Sequence, residues 1–254
     1  MVFVATFDQY NNVAAILSAL KKNSSLVNMG LKITVGVSGD IQLAREYLSG
    51  NIKLLDIPNH YYWARAFKYL VMSCLEDYDV AVHINDDVEP TQLQQLNFAK
   101  YIGDTKICFG EFKDNNGEII FGGFKTSLLK EKMVRNNVEM FNGNLFILPK
   151  KILMKAMPLF TFQHAYLDFV LSYRAIKHYT DFEVKNIPMV SSEENKQLRQ
   201  SVKKAYSSTW YSRANPIDSL FYCVYTHQYL RAPFVFFYLV LKAIKKCWSF
   251  RAVK

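Results

Sequence analysis

Cysteine is scarce in this chain, and the four present (Cys74, Cys108, Cys223 and Cys247) stand far apart. None belongs to a Cys-x-x-Cys pair or has a histidine at ligand spacing, which speaks against a zinc module or a disulfide framework. Buried free thiols in a reducing cytosol are expected instead. The opening "MVFVATFDQY" has no basic segment leading into a long apolar run, so no secretory leader is expected. No internal repeat or low-complexity tract is found. A bilayer-spanning helix needs about 20 apolar residues, and the uncharged run from Ala232 to Leu241 is too short. Acids are nearly missing from one region: residues 195–254 hold eleven Lys and Arg and the single acid Asp218. That leaves 20 of the 31 basic and 21 of the 22 acidic residues in the first 194, a body close to neutral.

What is present is apolar. Half of the 254 residues are hydrophobic and 15% are aromatic, ample for a sizeable core and against disorder. The first 110 residues alternate strand-like and helix-like segments. "VFVAT", "LKITVGV", "NIKLLDI" and "DVAVHI" read as strands. "NNVAAILSALKKN" carries Val13, Ile16, Leu17 and Leu20 at helical spacing. Asp40 is placed to cap the helix "IQLAREYLS", and "YYWARAFKYLVMSCLED" puts Trp63, Phe67, Leu70, Val71 and Cys74 on one helical face. Such alternation implies βαβ crossovers and a mostly parallel sheet, an α/β fold. Further on, "KICFGEFKDNNGEIIFGGFK" reads as two strands joined at "DNNG". "KTSLLKEKMVRNNVEM" lacks periodicity and reads as a loop. "FNGNLFILPKKIL" leads into a strand and short helix, and "HAYLDFVLSYRAIKHY" is helical in pattern.

The stretch "HINDDVEP" puts adjacent carboxylates, Asp86 and Asp87, directly after the apolar fourth strand. Ligands of open α/β sheets bind at the carboxyl edge of the strands, so the pair is a candidate site. The alternative is a turn in which a side chain bonds its own backbone and Pro90 opens the next helix.

Four segments, in order, resemble the family 2 glycosyltransferases of the GT-A fold, closest to bacterial members that build surface polysaccharides. "WARAFKYLVMSCLEDYDVAVHINDDV" looks like their helix, strand and metal motif. "GEFKDNNGEIIFGG" is similar to their hairpin, "FNGNLFILPKKIL" to their NGN segment, and "HAYLDFVLSYRA" to their last catalytic helix. The resemblance covers residues 1–194, with 195–254 as a basic, aromatic helical extension. It implies transfer of a sugar from a nucleoside-diphosphate sugar, with Mn²⁺ or Mg²⁺, to a saccharide or lipid-linked saccharide.

Carried over residue by residue, the resemblance gives Asp87 the metal. It leaves Asn85 and Asp86 beside the nucleotide, with Asn85 where the family has an acid. Arg65 falls near the diphosphate, or is an exposed helix arginine. Thr6 and Asp8 match the base-binding loop, with a helix cap the alternative for Asp8. The family's acid after the second strand is Ser38 here. Asn142, Gly143 and Asn144 fall at the sugar pocket, or form an ordinary Asn-Gly turn. Asp168, six residues before Arg174, matches the catalytic base, although the Glu that usually precedes it is Leu167. His164 would share a helical face with Asp168, or is a packed core histidine.

The basic, aromatic end suits an anionic membrane surface, with Lys242, Lys245, Lys246 and Arg251 against lipid. This implies a cytoplasmic protein, peripheral at the inner face of the cell membrane; a helical cap on the body is the alternative. Nucleic acid is not expected as a partner. Two other functions stay open. A catalytically inactive sugar- or membrane-binding protein would explain Leu167 and Asn85. A nucleotidyltransferase would want a glycine-rich or basic loop after the first strand, where this chain has "ATFDQYNN".

Overall fold

The computed structural model describes residues 1–6, 9–48, 50–126, 131–159, 162, 166–190, 216–238 and 240. β-branched residues pack well on a pleated surface, and the apolar runs become strands: β1 Val2–Thr6, β2 Ile33–Val37, β3 Lys53–Asp56 and β4 Val80–Asn85. β1 lies between β2 and β4, β3 flanks β2, and all four run parallel. The crossovers are α1 Tyr10–Lys22, α2 Ser24–Asn28, α3 Ile41–Tyr47 and α4 Trp63–Met72. Asp40 caps α3, accepting from the N–H groups of Gln42 and Leu43 at 2.9 and 3.0 Å, as its position in the sequence implies. α4 buries Phe67, Leu70 and Val71 completely. Gly36 permits that approach: a Cβ there would run into Ile57 and come within 3.3 Å of Leu70.

After α5 Pro90–Gln95 the order of strands ceases to follow the chain. β5 Lys106–Lys113 and β6 Ile119–Phe121 form the expected hairpin, its turn held by Asp114 Oδ1, which accepts from the N–H groups of Asn116 and Glu118. β7 Gly123–Lys125, β8 Lys132–Val134 and β9 Met140–Phe141 make a small antiparallel sheet in the order β8-β7-β9. Strands therefore occupy part of the segment the sequence reads as a loop; two or three residues are too few to show a period. β10 Leu145–Pro149 returns antiparallel between β4 and β5. α6 Lys150–Ala156 and α7 Leu167–His178 follow. β11 Glu183–Val190 then pairs in parallel with β5 at the sheet's edge. The sequence pattern does not announce this strand. Pro188 and the few buried side chains hide it, and both suit an edge.

The main sheet runs β11-β5-β10-β4-β1-β2-β3, with β6 paired to β5. Each face carries its own core. One is formed with α1, α2, α3 and α5, the other with α4, α6, α7 and α8 Pro216–Tyr225. This is the mixed α/β sheet covered by helices that the alternating pattern implies. Tyr222, Cys223 and Ala232 lie inside the second core, so α8 and the turn after it pack on the body. Cys74, Cys108 and Cys223 are buried and free, as expected; Cys247 lies outside the described residues.

Candidate active site

The sheet order locates the site. From β1 the chain moves outward to β2 and β3, then crosses back so that β4 flanks β1 on its other side. β1 and β4 are paired neighbours, so their carboxyl ends lie side by side at the edge where ligands of open α/β sheets bind. Thr6 ends β1 and Asn85 ends β4, with Ala5 in register with Asn85. Asp86 and Asp87 follow in a turn, both half-buried. The turn and the site therefore coincide, and the two sequence readings of Asp86 and Asp87 are compatible.

Asn85 is held from three sides. Its Oδ1 accepts from Trp63 Nε1 at 3.0 Å and lies 3.0 Å from His83 Nε2. Its Nδ2 donates to Asn144 Oδ1 at 3.1 Å, while its backbone N–H donates to the Asn144 carbonyl at 2.9 Å. The indole only donates, so the oxygen of the Asn85 amide is fixed, and His83 must carry its proton on Nε2. His83 is fully buried among Phe67, Phe146 and Trp63. Burial pulls its pKa down to about 4, against the hydrogen bond with Asn85 and the backbone of Gly143 and Phe3, which raise it. Burial keeps the ring neutral, and the Asn85 contact fixes which nitrogen carries its proton. Asn85 is left with one N–H for a ligand.

The same chain of contacts reaches the second carboxylate. Asn144 adjoins Gly143, whose N–H donates to Asp168 Oδ2 at 2.8 Å. Gly143 lies against the indole: a Cβ there would sit 2.8 Å from the Trp63 ring and 3.2 Å from Asp168 Cβ. Only glycine fits between the two. Asp168 Oδ1 accepts from the Phe169 N–H at 3.0 Å, in the first turn of α7. A carboxylate is stabilised there by the N–H groups and dipole of the helix. Asp168 is half-buried, between buried Leu167 and half-buried Phe169.

Two sequence expectations change with α7. The helix begins at Leu167, and Tyr166 before it has φ +68°. A helix carrying His164 and Asp168 on one face would have to pass through Tyr166, which is left-handed. His164 itself lies outside the described residues, as does Asp8. Arg174 keeps its spacing to Asp168 for a different reason: its guanidinium donates to the carbonyls of Met157 and Lys155, at 3.1 Å each, and sits over Tyr225. It closes the end of α6.

Thr6 is buried and its hydroxyl accepts from the Gln9 N–H at 3.3 Å. Arg65 is half-buried on α4 with its guanidinium 5.8 Å from the Tyr61 ring. The structure thus links Asn85, Gly143, Asn144 and Asp168 directly, with Asp86 and Asp87 next in the chain. Sequence reasoning assigns no site role to Trp63, His83 or Glu111. The signal for His83 is its place two residues before Asn85 on a strand, hence on the same face. Glu111, buried on β5, stands two residues beyond Phe109, the partner of Phe146, and so level with Asn144. It accepts from Asn186 Nδ2 at 3.1 Å, with Lys113 Nζ at 3.7 Å.

Among the described residues no group of three His, Cys, Asp or Glu side chains forms a metal cage. Asp86 and Asp87 instead offer two adjacent half-buried carboxylates at a strand end. Mg²⁺ is commonly held by one or two carboxylates plus substrate phosphates, and the residues fit that arrangement.

No protein-family model and no curated protein matches the chain. Among solved structures it is similar to TarS of S. aureus, at 13% identity and TM-score 0.46 over 76% of this chain and 57% of that one. It is also similar to glucosyl-3-phosphoglycerate synthase from Mycobacterium tuberculosis in complex with phosphoglyceric acid, at 10% identity and TM-score 0.49 over 75% and 69%. A third is 4-diphosphocytidyl-2C-methyl-D-erythritol synthase from Anaerococcus prevotii, at 11% identity and TM-score 0.44 over 80% and 95%. The chain spans little more than half of the TarS structure. At such identities and TM-scores these likenesses identify no activity.

Proposed function

We propose that the chain is an inverting glycosyltransferase with the GT-A fold, of the family 2 type that builds bacterial surface polysaccharides. It moves a sugar from a nucleoside-diphosphate donor to a saccharide or lipid-linked saccharide. One observation carries the reading: Asn85-Asp86-Asp87 at the carboxyl end of β4, beside β1, is tied through Asn144 and Gly143 to a second carboxylate, Asp168. The chemistry needs both, one acid with the leaving diphosphate and one with the acceptor.

In this reading the diphosphate lies over the carboxyl ends of β1 and β4, with Thr6 and Asp8 toward the base and Arg65 toward the phosphates. Asp87 would hold Mg²⁺ or Mn²⁺, which when bound would supply positive charge against that of the departing diphosphate. Gly143 and Asn144 border the sugar. Asp168 takes the proton of the acceptor hydroxyl while that oxygen bonds to the anomeric carbon. The bond to the diphosphate breaks, and its electron pair leaves with the phosphate oxygen.

Calorimetry of nucleoside diphosphates with Mn²⁺ tests the donor half. Wild-type protein should bind one of them only with metal present, and Asp87→Ala should weaken that binding by about two orders of magnitude with the fold intact. Equal affinity in a chelator, or in the variant, would sink the reading.

A second reading draws on a specific contact. Both Asp168 oxygens accept backbone N–H groups, which suits a structural anchor in a sugar-nucleotide-binding protein that does not turn over. Donor binding without transfer or hydrolysis would favour it.

A further inference from the structure

The surface that follows α8 has the wrong chemistry for water. Residues 232–238 form a short helical segment that continues the chain from α8. Ala232 and Val235 turn inward onto the core shared with α4, α6 and α7. At 100° per residue, the opposite arc carries Pro233, Phe234, Phe237 and Tyr238. All four are exposed, Phe234 at 77% and both Phe237 and Tyr238 at 63%. Leu230, in the turn just before, is 86% exposed and Tyr229 is 58% exposed. An outward helical arc of a soluble protein is normally polar, yet this one has no charged residue. The arc is also held in place: Arg231 bonds Glu131 Oε1 at 2.9 Å, and Tyr222 OH bonds the same oxygen at 2.7 Å. A contiguous apolar patch on a fixed support marks an interaction site.

Charge identifies the partner. The sequence places Lys242, Lys245, Lys246, Arg251 and Lys254 directly after this arc, and within 195–254 the only acid is Asp218, which is buried. A protein partner would be expected to offer its own apolar groove. Aromatic side chains next to lysines with no exposed acid instead match the headgroup boundary of an anionic bilayer, where rings enter the interface and ammonium groups stay with lipid phosphate. Among the described residues no helix is long and apolar enough to cross a membrane. We infer that the chain docks in the plane of an anionic phospholipid surface through Leu230, Phe234, Phe237 and Tyr238. This does not depend on the transferase reading, and its test uses no nucleotide.

Truncation before α8 would uncover the core around Tyr222 and Cys223, so surface substitutions make the cleaner experiment. The full-length protein is sedimented with vesicles of phosphatidylglycerol and phosphatidylcholine, and with phosphatidylcholine alone. It should bind the anionic vesicles preferentially. Phe234→Asp combined with Phe237→Asp should cut that binding by at least about tenfold, while Leu43→Asp on α3 leaves it unchanged. Circular dichroism melting checks the fold of each. If the double variant is unstable, Phe237→Trp supplies the answer: its added fluorescence should shift to the blue on anionic vesicles and be quenched by acyl-brominated lipid. Wild-type protein that ignores anionic vesicles at low salt overturns the inference. So does undiminished binding by a folded double variant, or a Phe237→Trp protein whose added fluorescence is not quenched. A self-associated wild type that the double variant converts to monomer, with no vesicle binding, would assign the arc to a second copy and equally overturn it.

Discussion

Residues 1–95 and residues 106–190 build two sides of the same sheet edge by different means. In the first, helices carry the chain between parallel strands, outward from β1 to β2 and β3 and then back across to β4 beside β1, and these strands pair in register without interruption. Local pattern suffices, because each crossover helix has an apolar face that it buries against the sheet. In the second, β10 enters antiparallel between β4 and β5, and three short strands leave the main sheet altogether. Asn137 and Tyr166 take left-handed backbones to make the connections. The regular side presents Thr6, Asn85, Asp86 and Asp87 at strand ends. The irregular side delivers Gly143 and Asn144 on a loop and Asp168 in the first turn of α7, and the hydrogen bond between the Asn85 and Asn144 side chains joins the two. Placing charge at an edge needs only strands. Placing a second carboxylate opposite it needs the whole chain.

Breaking the irregular side should cost the most. Asp168→Asn removes the proposed acceptor-side base, and loss of a positioned base lowers rates by about 100- to 10,000-fold. Donor affinity, which depends on the regular side, should stay. The variant also turns an amide nitrogen toward one of the two N–H groups that Asp168 satisfies, so a loss of stability of about 1–3 kcal/mol is expected in thermal melts. Transfer at the wild-type rate would leave Asp168 as an anchor only.

The buried histidine on the regular side sets a pH dependence. His83 has a folded pKa near 4 against an ordinary 6.5, so in that window unfolding takes up a proton. Its stabilising effect is fully present above pH 6.5 and falls by about 1.4 kcal/mol per unit as the pH drops, on the order of 3 kcal/mol by pH 4. His83→Gln abolishes the titration and keeps a donor for Asn85. Denaturant unfolding at pH 4 and pH 7 should show a smaller difference in the variant than in the wild type. Equal differences would assign the acid sensitivity to carboxylates instead.

The smallest effect is expected at the seam. Gly143→Ala drives a methyl group toward Trp63 and Asp168, and overpacking of this kind costs about 1–3 kcal/mol. Because the Gly143 N–H holds Asp168, transfer should weaken more than donor binding. A neutral substitution would show that the loop moves freely and that the link between the two sides is loose.

The regular half is legible in the sequence because its information is local. Short apolar runs and 3.6-residue spacing, together with the Asp40 cap, yield four strands and their helices close to their observed bounds. The apolar run "DVAVHI" alone is enough to put Asn85-Asp86-Asp87 at a strand end. β7, β8 and β9 are too short to carry a period, and β11 contains Pro188 with few buried side chains. The reading of residues 164–179 as one helix fails at Tyr166, since apolar spacing does not reveal a left-handed residue. Arg174 shows a familiar spacing with a different cause.

The layering of this protein, the acids at the β4 edge and the basic, acid-poor character of its last 60 residues are all written in the order of the amino acids, since each is a property of neighbours along the chain. Three-dimensional packing settled the rest: Asn85 ties Trp63, His83 and Asn144 together, Gly143 is pinned between an indole and Asp168, and Phe234, Phe237 and Tyr238 face outward. Those are contacts between segments distant in sequence, or the result of which helical arc the core claimed first. Periodicity fixes that an element has an apolar face; only packing decides which apolar residues are left outside it.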